Sequence, residues 1–409
     1  MTPDLDLIIV GGGPAGMMAG LLFARAGCRV QVFEKHADFF RDFRGDTVHP
    51  STMEILDQLG LLERFLERPH SEIRHAELRF SGREWRIAEF SRLPTVAPFI
   101  AMMPQWDFLD FLRVEGKALP GFNLAMSAPV ESFLEEGGRV VGVKLGDGTE
   151  RRSRLVIAAD GRTSIVRQRL PLEQLSAPID VLWFNVGKEK SAEGSLRFAI
   201  GGGAIIVLMD RDTYWQCAFV IPKGDAGKLT AGGLEPIRHR LQGAAPDLDL
   251  SKLADVSDFK LLTVTLDRLT WWSAPGLLAI GDAAHAMSPV GGVGINLAIQ
   301  DAVAAANILA APLAAGEDVD RLLHKVRDRR LWPTRFIQRA QRIIQDRIIW
   351  PMLRQGDQVE RPPLVARLFD RFPPLRALPG RLMGLGIRRE RVRSPSAPEL
   401  ANRGAQRVA

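Results

Sequence analysis

The sequence predicts an α/β protein: a doubly wound domain with an inserted antiparallel β-sheet and C-terminal helices. Three observations predict it. Short, continuously apolar runs at Leu7–Val10, Leu155–Ala158 and Leu277–Ile280 each end in a Gly- or Asp-containing turn, as buried parallel strands do. Residues 73–103 and 181–221 instead alternate apolar with polar at period two, the pattern of half-buried antiparallel strands. The last 90 or so residues carry arginines at helical spacing between prolines. The chain thus divides into a discontinuous domain over 1–72, 104–180 and 271–315, an inserted sheet over 73–103 and 181–270, and a helical region over 316–409.

Composition narrows the classes. With 409 residues, 46% hydrophobic and 25% charged, the chain is long enough for several cores and is neither disordered nor fibrous. The start, "MTPDLDLIIV", lacks a basic n-region, and the longest apolar runs are broken by Asp, Gln, Asn or Gly, so the expected location is cytoplasmic. Cys28 and Cys217 lie in apolar patterns and read as buried thiols, and no metal pattern is present. Residues 321–409 hold 21 Lys and Arg against 7 Asp and Glu, so they exceed the whole chain's net charge of +6. Such a tail fits a solvated face or a loose, peripheral attachment to an anionic membrane. It lacks the aromatic interleaving of a nucleic-acid module, so no nucleic-acid partner is expected.

The first turn, "IIVGGGPAGMMAGLLFARAGCRVQVFEKH", reads strand, loop, helix, strand. Gly11, Gly13 and Gly16 fit G-x-G-x-x-G: the first turns the chain, the second lets backbone approach a pyrophosphate, and the third lets helix and strand pack. Pro14 and Ala15 open the helix, whose N-terminus favours phosphate. Glu34, followed by Lys35, ends the next strand 18 residues after Gly16, where a carboxylate accepts ribose hydroxyls. This is a Rossmann-like dinucleotide site, and the pattern alone does not separate NAD from FAD.

Next comes a hairpin turning at "GDG" and then "RLVIAADGRTSIVR", a strand ending at Asp160 and Gly161 with a helix expected from Ser164. Asp160 reads equally as a helix cap or a functional group. The third run leads into "GDAAHAMSPVGGVGIN", with Gly281 and Asp282 at the strand end and a small-residue helix expected over Ala298–Leu309 with its N-terminus at "GGVGIN". A second backbone-exposing loop suits a ligand with two parts to hold. FAD is such a ligand, with its pyrophosphate on the first loop and its flavin half on the second.

Taken in order, "GGGPAG", "ADGRTS" and "GDAAHAMSPVGGVGIN" resemble the group A flavoprotein monooxygenases, the para-hydroxybenzoate hydroxylase-like class, over roughly residues 5 to 310. The resemblance implies FAD as cofactor and NADPH or NADH as transient electron donor. Gly11, Gly13, Pro14, Ala15 and Gly16 would meet the pyrophosphate, Glu34 and Lys35 the adenosine side, and Val130 the adenine. Arg44 in "FRGDTVHP" and Gln105 in "MPQWDFLDFL" would stand beside the flavin chain. Asp160 and Gly161 would serve both FAD and NAD(P)H, while Gly281 and Asp282 would hold the ribityl hydroxyls. Pro289, Gly291, Gly292, Val293, Gly294, Ile295 and Asn296 would line the flavin.

The implied reaction transfers one oxygen atom of O2, through a flavin C4a-hydroperoxide, to an aromatic or otherwise apolar small molecule. Since the chemistry is borne by the flavin, no catalytic side chain is assigned. With one tyrosine, Tyr214, the chain does not carry the tyrosine relay of the para-hydroxybenzoate enzyme, and the nearby bases His49 and His285 read as structural. Trp183, Phe198, Trp215 and Phe219 are candidate pocket walls. The C-terminal helices are expected to bury Ile, Leu and Trp, expose Arg, and cover the substrate side or make a homodimer contact. The end, "RRERVRSPSAPELANRGAQRVA", reads as frayed. Two rival readings keep the flavin: a reductase of isoprenoid-type substrates, and a flavin-binding protein without turnover. A halogenase is disfavoured because "TWWSAP" lacks the Trp-x-Trp-x-Ile-Pro spacing.

Overall fold

A computed structural model describes residues 5–40, 46–80, 82–188, 194–211, 213–355, 362 and 364–401. Its first sheet is built on five parallel strands in the order Leu277–Ala279, Glu150–Ala158, Leu5–Val10, Val30–Phe33 and Phe122–Ala125. Leu7, Ile8, Ile9, Leu155, Val156 and Ile157 are fully buried, which is why these runs are apolar at every position rather than at alternate ones. The hairpin Val130–Glu136 and Arg139–Leu145 extends from the start of the Glu150–Ala158 strand.

Helices Pro14–Arg25 and Gly294–Ala314 follow the first and third glycine turns. The second begins at Gly294, within the "GGVGIN" stretch expected to hold its N-terminus, and ends five residues beyond Leu309, because Pro312 is accommodated in the helix. By length and composition it is apolar enough to cross a membrane, but 72% of that window is buried within the protein. The helix expected from Ser164 is instead two 3₁₀ turns, Gly161–Thr163 and Ile165–Gln168, divided where the Ser164 hydroxyl accepts the Val166 amide.

The second sheet has nine strands, ordered Lys260–Leu262, Ile179–Gly187, Tyr214–Pro222, Ala204–Asp210, Gly194–Gly201, Ser71–Phe80, Ile100–Met102 and Thr47–Val48, with Arg83–Glu89 paired to Ser71–Phe80. It is not wholly antiparallel, since Gly194–Gly201 runs parallel to Ser71–Phe80. Those two strands come from separate insertions, so no hairpin dictates their relative direction.

Side-chain parity sorts the sheet's aromatic residues. Phe219 is fully buried with Phe184 and Cys217 on one face, where Ile237 and Leu241 of helix Leu234–Ala244 cover it and Trp215 packs at the margin. Trp183 and Phe198 flank the cluster on the other face, with Met102, Met209 and Ala218. The four proposed pocket walls therefore split. Trp215 and Phe219 belong to the core under a helix, because odd positions of Tyr214–Pro222 point away from the face that Trp183 shares. Cys28 and Cys217 are buried free thiols, and burial raises both above the ordinary thiol range, Cys28 to about 12.

The C-terminal region departs most from expectation. Helix Leu323–Ile344 buries Gln338 and Gln341, followed by Gln345, and leaves Trp332, Phe336 and Ile343 exposed. The stretch from Arg388 to Ser394 is held by side chains of four helices. Arg389 bonds Glu54, the Val392 amide donates to Gln58, the Glu390 amide to Gln300, and the Ser394 amide to Asn307. Arg25 donates to the Ser394 carbonyl and Arg330 to the Arg388 carbonyl. Local polarity suggests fraying over 388–409; over 388–394 polar partners elsewhere in the chain override it, while residues 402–409 lie outside the described residues.

Candidate active site

The three glycine or aspartate turns leave adjacent strands at one level. Val10 pairs with both Ala158 and Phe33, and Ala158 pairs with Ala279, so the loops that follow lie side by side at the carboxyl edge of the sheet. The chain order reverses between the strands Leu5–Val10 and Glu150–Ala158, which opens a crevice at that edge.

The first loop is shaped by steric necessity. Gly11 has φ +103°, and a side chain there would meet the Ala159 carbonyl oxygen at 2.5 Å. At Gly16 a β-carbon would lie 2.0 Å from the Gly11 carbonyl oxygen. At Gly13, the N-cap of the following helix, it would meet no protein atom within 4 Å. Two glycines thus exist for packing, and the third leaves open space at a helix N-terminus opened by Pro14 and Ala15. Glu34 is buried with one oxygen accepting the Gly12 amide at 2.8 Å and the other the His36 amide at 3.1 Å. Lys35 is exposed, and its charge lies close enough to favour ionised Asp160.

Asp160 does not cap a helix by side-chain bonding at its own turn. One oxygen accepts the Ile165 amide at 3.3 Å; the other is buried with no hydrogen-bond partner among the described residues. Burial raises its carboxyl above the ordinary range, with bonds from Ser164 and the backbone opposing. Gly161, with φ +82°, faces open space. Arg162 reaches Asp282 at 3.3 Å, and Arg167 holds Asp267 through two 2.8 Å bonds while donating to the Asp282 carbonyl. The "ADGRTS" turn therefore positions the third loop directly.

Gly281 sits between the helices, 3.0 Å from Ala15 Cβ and 3.1 Å from Ala298 Cβ by the reach of its own absent side chain. Its amide donates to Asp301, a fully buried carboxylate that also accepts His285 Nε2 at 2.6 Å and Arg330 Nε at 2.9 Å. Burial opposes ionisation of Asp301, but His285 and Arg330 outweigh it and hold its carboxyl below the usual range. Further along, the Gly292 carbonyl accepts the Thr47 hydroxyl at 3.0 Å, and Asn296 accepts the His49 amide and the Thr52 hydroxyl. Pro289, Gly291, Gly294 and Ile295 are half-buried and Val293 is buried, so this loop rests on the Thr47–Val48 strand at the end of the second sheet.

His49 is fully buried. Its Nδ1 bonds the Met383 carbonyl at 2.7 Å, while Nε2, near Gly292, has no partner among the described residues. Burial lowers its pKa to about 4 against the Met383 bond, so it is neutral at pH 7. His285 lies against Trp272 and Asp301 as part of the packing.

Gln105 begins helix Gln105–Lys117 and donates its amide to Asp46 at 3.2 Å. Asp46 also pairs with buried Arg211, which donates to Gln216; burial nevertheless pushes Asp46 up, with Arg211 opposing. Arg44 falls outside the described residues. Val130 begins its strand, half-buried, opposite Leu145. The sequence reading missed Thr47, Asp301, Arg330 and the Gln338, Gln341 and Gln345 set. Its one available signal was glutamine recurring at helical spacing where an apolar face was expected.

The residues fit FAD. The open spaces at Gly13 and Gly161, two helix N-termini aimed at the crevice and the unpartnered Asp160 oxygen suit a ligand with phosphates and hydroxyls. Among the described residues, no cluster of His, Cys, Asp and Glu suits a metal ion.

Comparison with known proteins agrees with that fit. A family model described as FAD binding domain matches residues 4–340. The chain is 33% identical over 401 residues to 6-methylpretetramide 4-monooxygenase of Streptomyces rimosus, covering 95% of this chain and 94% of that one. It is 29% identical over 312 residues to rifampicin monooxygenase of Streptomyces venezuelae, covering 73% of this chain and 62% of that longer protein. In fold it is similar to PqsL of P. aeruginosa, crystallised with 2-aminobenzoylacetate, with a TM-score of 0.75 at 22% identity over 90% of this chain and 99% of that one.

Proposed function

The chain belongs to the FAD-dependent aromatic monooxygenases of the group A flavoprotein class, and from that premise we propose how its residues divide the work. FAD, when bound, supplies electron transfer from NADPH or NADH and the activation of O2. The protein holds the cofactor, orients the substrate and excludes water.

The Gly11–Gly16 loop and the helix behind it take the pyrophosphate, and Glu34 and Lys35 border the adenosine with Val130. Gly281, Asp282 and the Pro289–Asn296 loop hold the flavin half, supported by Asp160, Gln105 and Arg44. This reading makes the first unit a doubly wound, Rossmann-like FAD-binding domain and the second sheet the substrate cover. The observation that carries it is the bond from Thr47 to the Gly292 carbonyl, which fastens the third loop to the end of that sheet.

An aromatic or otherwise apolar small molecule suits the face that bears Trp183, Phe198 and Met209, since these offer area and polarisability with few polar partners. Neutral His49, with a free Nε2 lone pair near Gly292, orders this corner without carrying charge into it. The test is anaerobic reduction of the bound flavin by NADPH and by NADH, with and without a panel of phenols and prenylated quinone precursors. Strong acceleration by one compound, followed on aeration by incorporation of one oxygen atom into it, is the expected result. Reduction without oxygen incorporation favours a reductase of isoprenoid-type substrates. No reduction under any condition favours a flavin-binding protein without turnover.

A further inference from the structure

Helix Leu323–Ile344 faces two ways. Its inner side packs Val326, Leu331 and Ile337 into the core and holds the third loop through buried glutamines: Gln338 donates to the Ala286 carbonyl at 3.1 Å, and Gln341 donates to the Ser288 and Val290 carbonyls at 2.9 Å each. The outer side carries the residues a soluble helix normally buries. Trp332, Phe336 and Ile343 are 53%, 43% and 53% exposed and lie on one stripe, with the two rings 6.0 Å apart. Arg335, Arg339 and Arg342 are exposed along that same stripe, and none of them pairs with a carboxylate among the described residues.

We propose that this face is a docking surface for an anionic phospholipid bilayer. Charge complementarity selects the partner's sign: three arginines without a carboxylate partner among the described residues interleave with the apolar residues, against one exposed acid at each end of the stripe, Asp328, which pairs with Arg327, and Asp346. The apolar side chains select its chemistry. Trp and Phe suit the headgroup boundary, and an aliphatic Ile finds apolar contact in acyl chains that a nucleic-acid backbone does not offer. Helix Leu364–Arg371 repeats the composition. Leu364 and Leu368, with Phe372 just beyond, are exposed at every fourth position beside Arg367 and Arg371, while its acid Asp370 is neutralised by Arg83. The helix that would lie on the bilayer is also the helix whose glutamines hold the third loop, so apolar molecules dissolved in lipid reach the protein beside its site. The surface stands independently of the hydroxylation reading, because vesicle binding needs no turnover.

The experiment is co-sedimentation of the full-length, FAD-loaded protein with phosphatidylcholine vesicles, with and without phosphatidylglycerol. The wild type is expected to pellet with the anionic vesicles, to stay in solution with the neutral ones, and to be released by high salt. Two triple variants, W332S/F336S/I343S and R335Q/R339Q/R342Q, are each expected to bind at least about tenfold more weakly. Their FAD content and melting temperature stay unchanged, which shows that they are folded. Failure of the wild type to bind anionic vesicles overturns the proposal, as does binding that neither variant weakens. Sedimentation velocity covers the other occupant: a wild-type dimer that the apolar variant dissociates, without vesicle binding, assigns the face to a second copy and also overturns it.

Discussion

Arg330 Nε donates to Asp301 Oδ1 at 2.9 Å with the two side chains 1% and 0% exposed, and this pair joins helix Leu323–Ile344 to the loop that begins at Gly281. A buried charge left alone costs more than the pair contributes. Arg330→Met is therefore expected to destabilise the protein by about 3 to 5 kcal/mol, read by urea unfolding of the FAD-free protein. The double variant Arg330→Met/Asp301→Asn should recover part of that loss, since it removes both charges. Full additivity of the two single losses would show that the residues do not act as a pair.

His49 gives stability a pH dependence whose sign is fixed by its environment. Its folded pKa of about 4 lies below the ordinary 6.5, so the unfolded chain takes up a proton first as pH falls. Its contribution is complete above pH 6.5 and is lost as pH falls through about 4. Between pH 7 and pH 4 the wild type should lose about 3 kcal/mol more than His49→Asn, which titrates no ring. Parallel stability curves for the two proteins would rule this out.

The glycines of the first loop should separate folding from binding. Gly16→Ala places a methyl group 2.0 Å from a backbone oxygen and should unfold the FAD-free protein at lower temperature. Gly13→Ala meets no protein atom, so the FAD-free melting temperature should stay near wild type while FAD affinity falls by roughly tenfold or more. Calorimetry with fluorescence titration by FAD measures both. Wild-type affinity in Gly13→Ala would place the pyrophosphate elsewhere.

Phe219 and Trp183 should behave oppositely although both are large aromatics of one sheet. Phe219→Ala opens a cavity in the core beneath helix Leu234–Ala244 and should cost about 3 to 5 kcal/mol with KM little changed. Trp183→Ala should change KM for aromatic substrates with a smaller loss of stability, because Trp183 is only half-buried. Steady-state kinetics beside thermal melts distinguish them.

Ending the chain after Ile387 removes partners of Glu54, Gln58, Gln300, Asn307, Arg329 and Arg330 at once. The truncated protein is expected to melt about 5 °C lower or more and to retain less FAD, because Arg330 then loses Glu390 and the Arg388 carbonyl beside Asp301. An unchanged melting temperature would show that the clamp contributes nothing.

The sequence by itself determined the local machinery. Gly11, Gly13 and Gly16, the run of apolar residues before them, and the turns at Asp160 and Gly281 announce their structure because the constraint on each is short-range: a positive φ, a close backbone approach, or a strand buried on both faces. Tertiary structure alone decided what depends on partners far along the chain. Trp183 and Phe219 are indistinguishable by period until the strands pair and give each a face. The "IQRAQRIIQ" stretch looks like a helix with glutamines to spare until the carbonyls of Ala286, Ser288 and Val290 need donors. The arginine-rich end looks unstructured until Glu54, Gln300 and Asn307 close on it. Sequence pattern encodes apolar burial well because that effect needs no particular partner. A buried polar group is stable only with a specific partner, and only the folded chain names it.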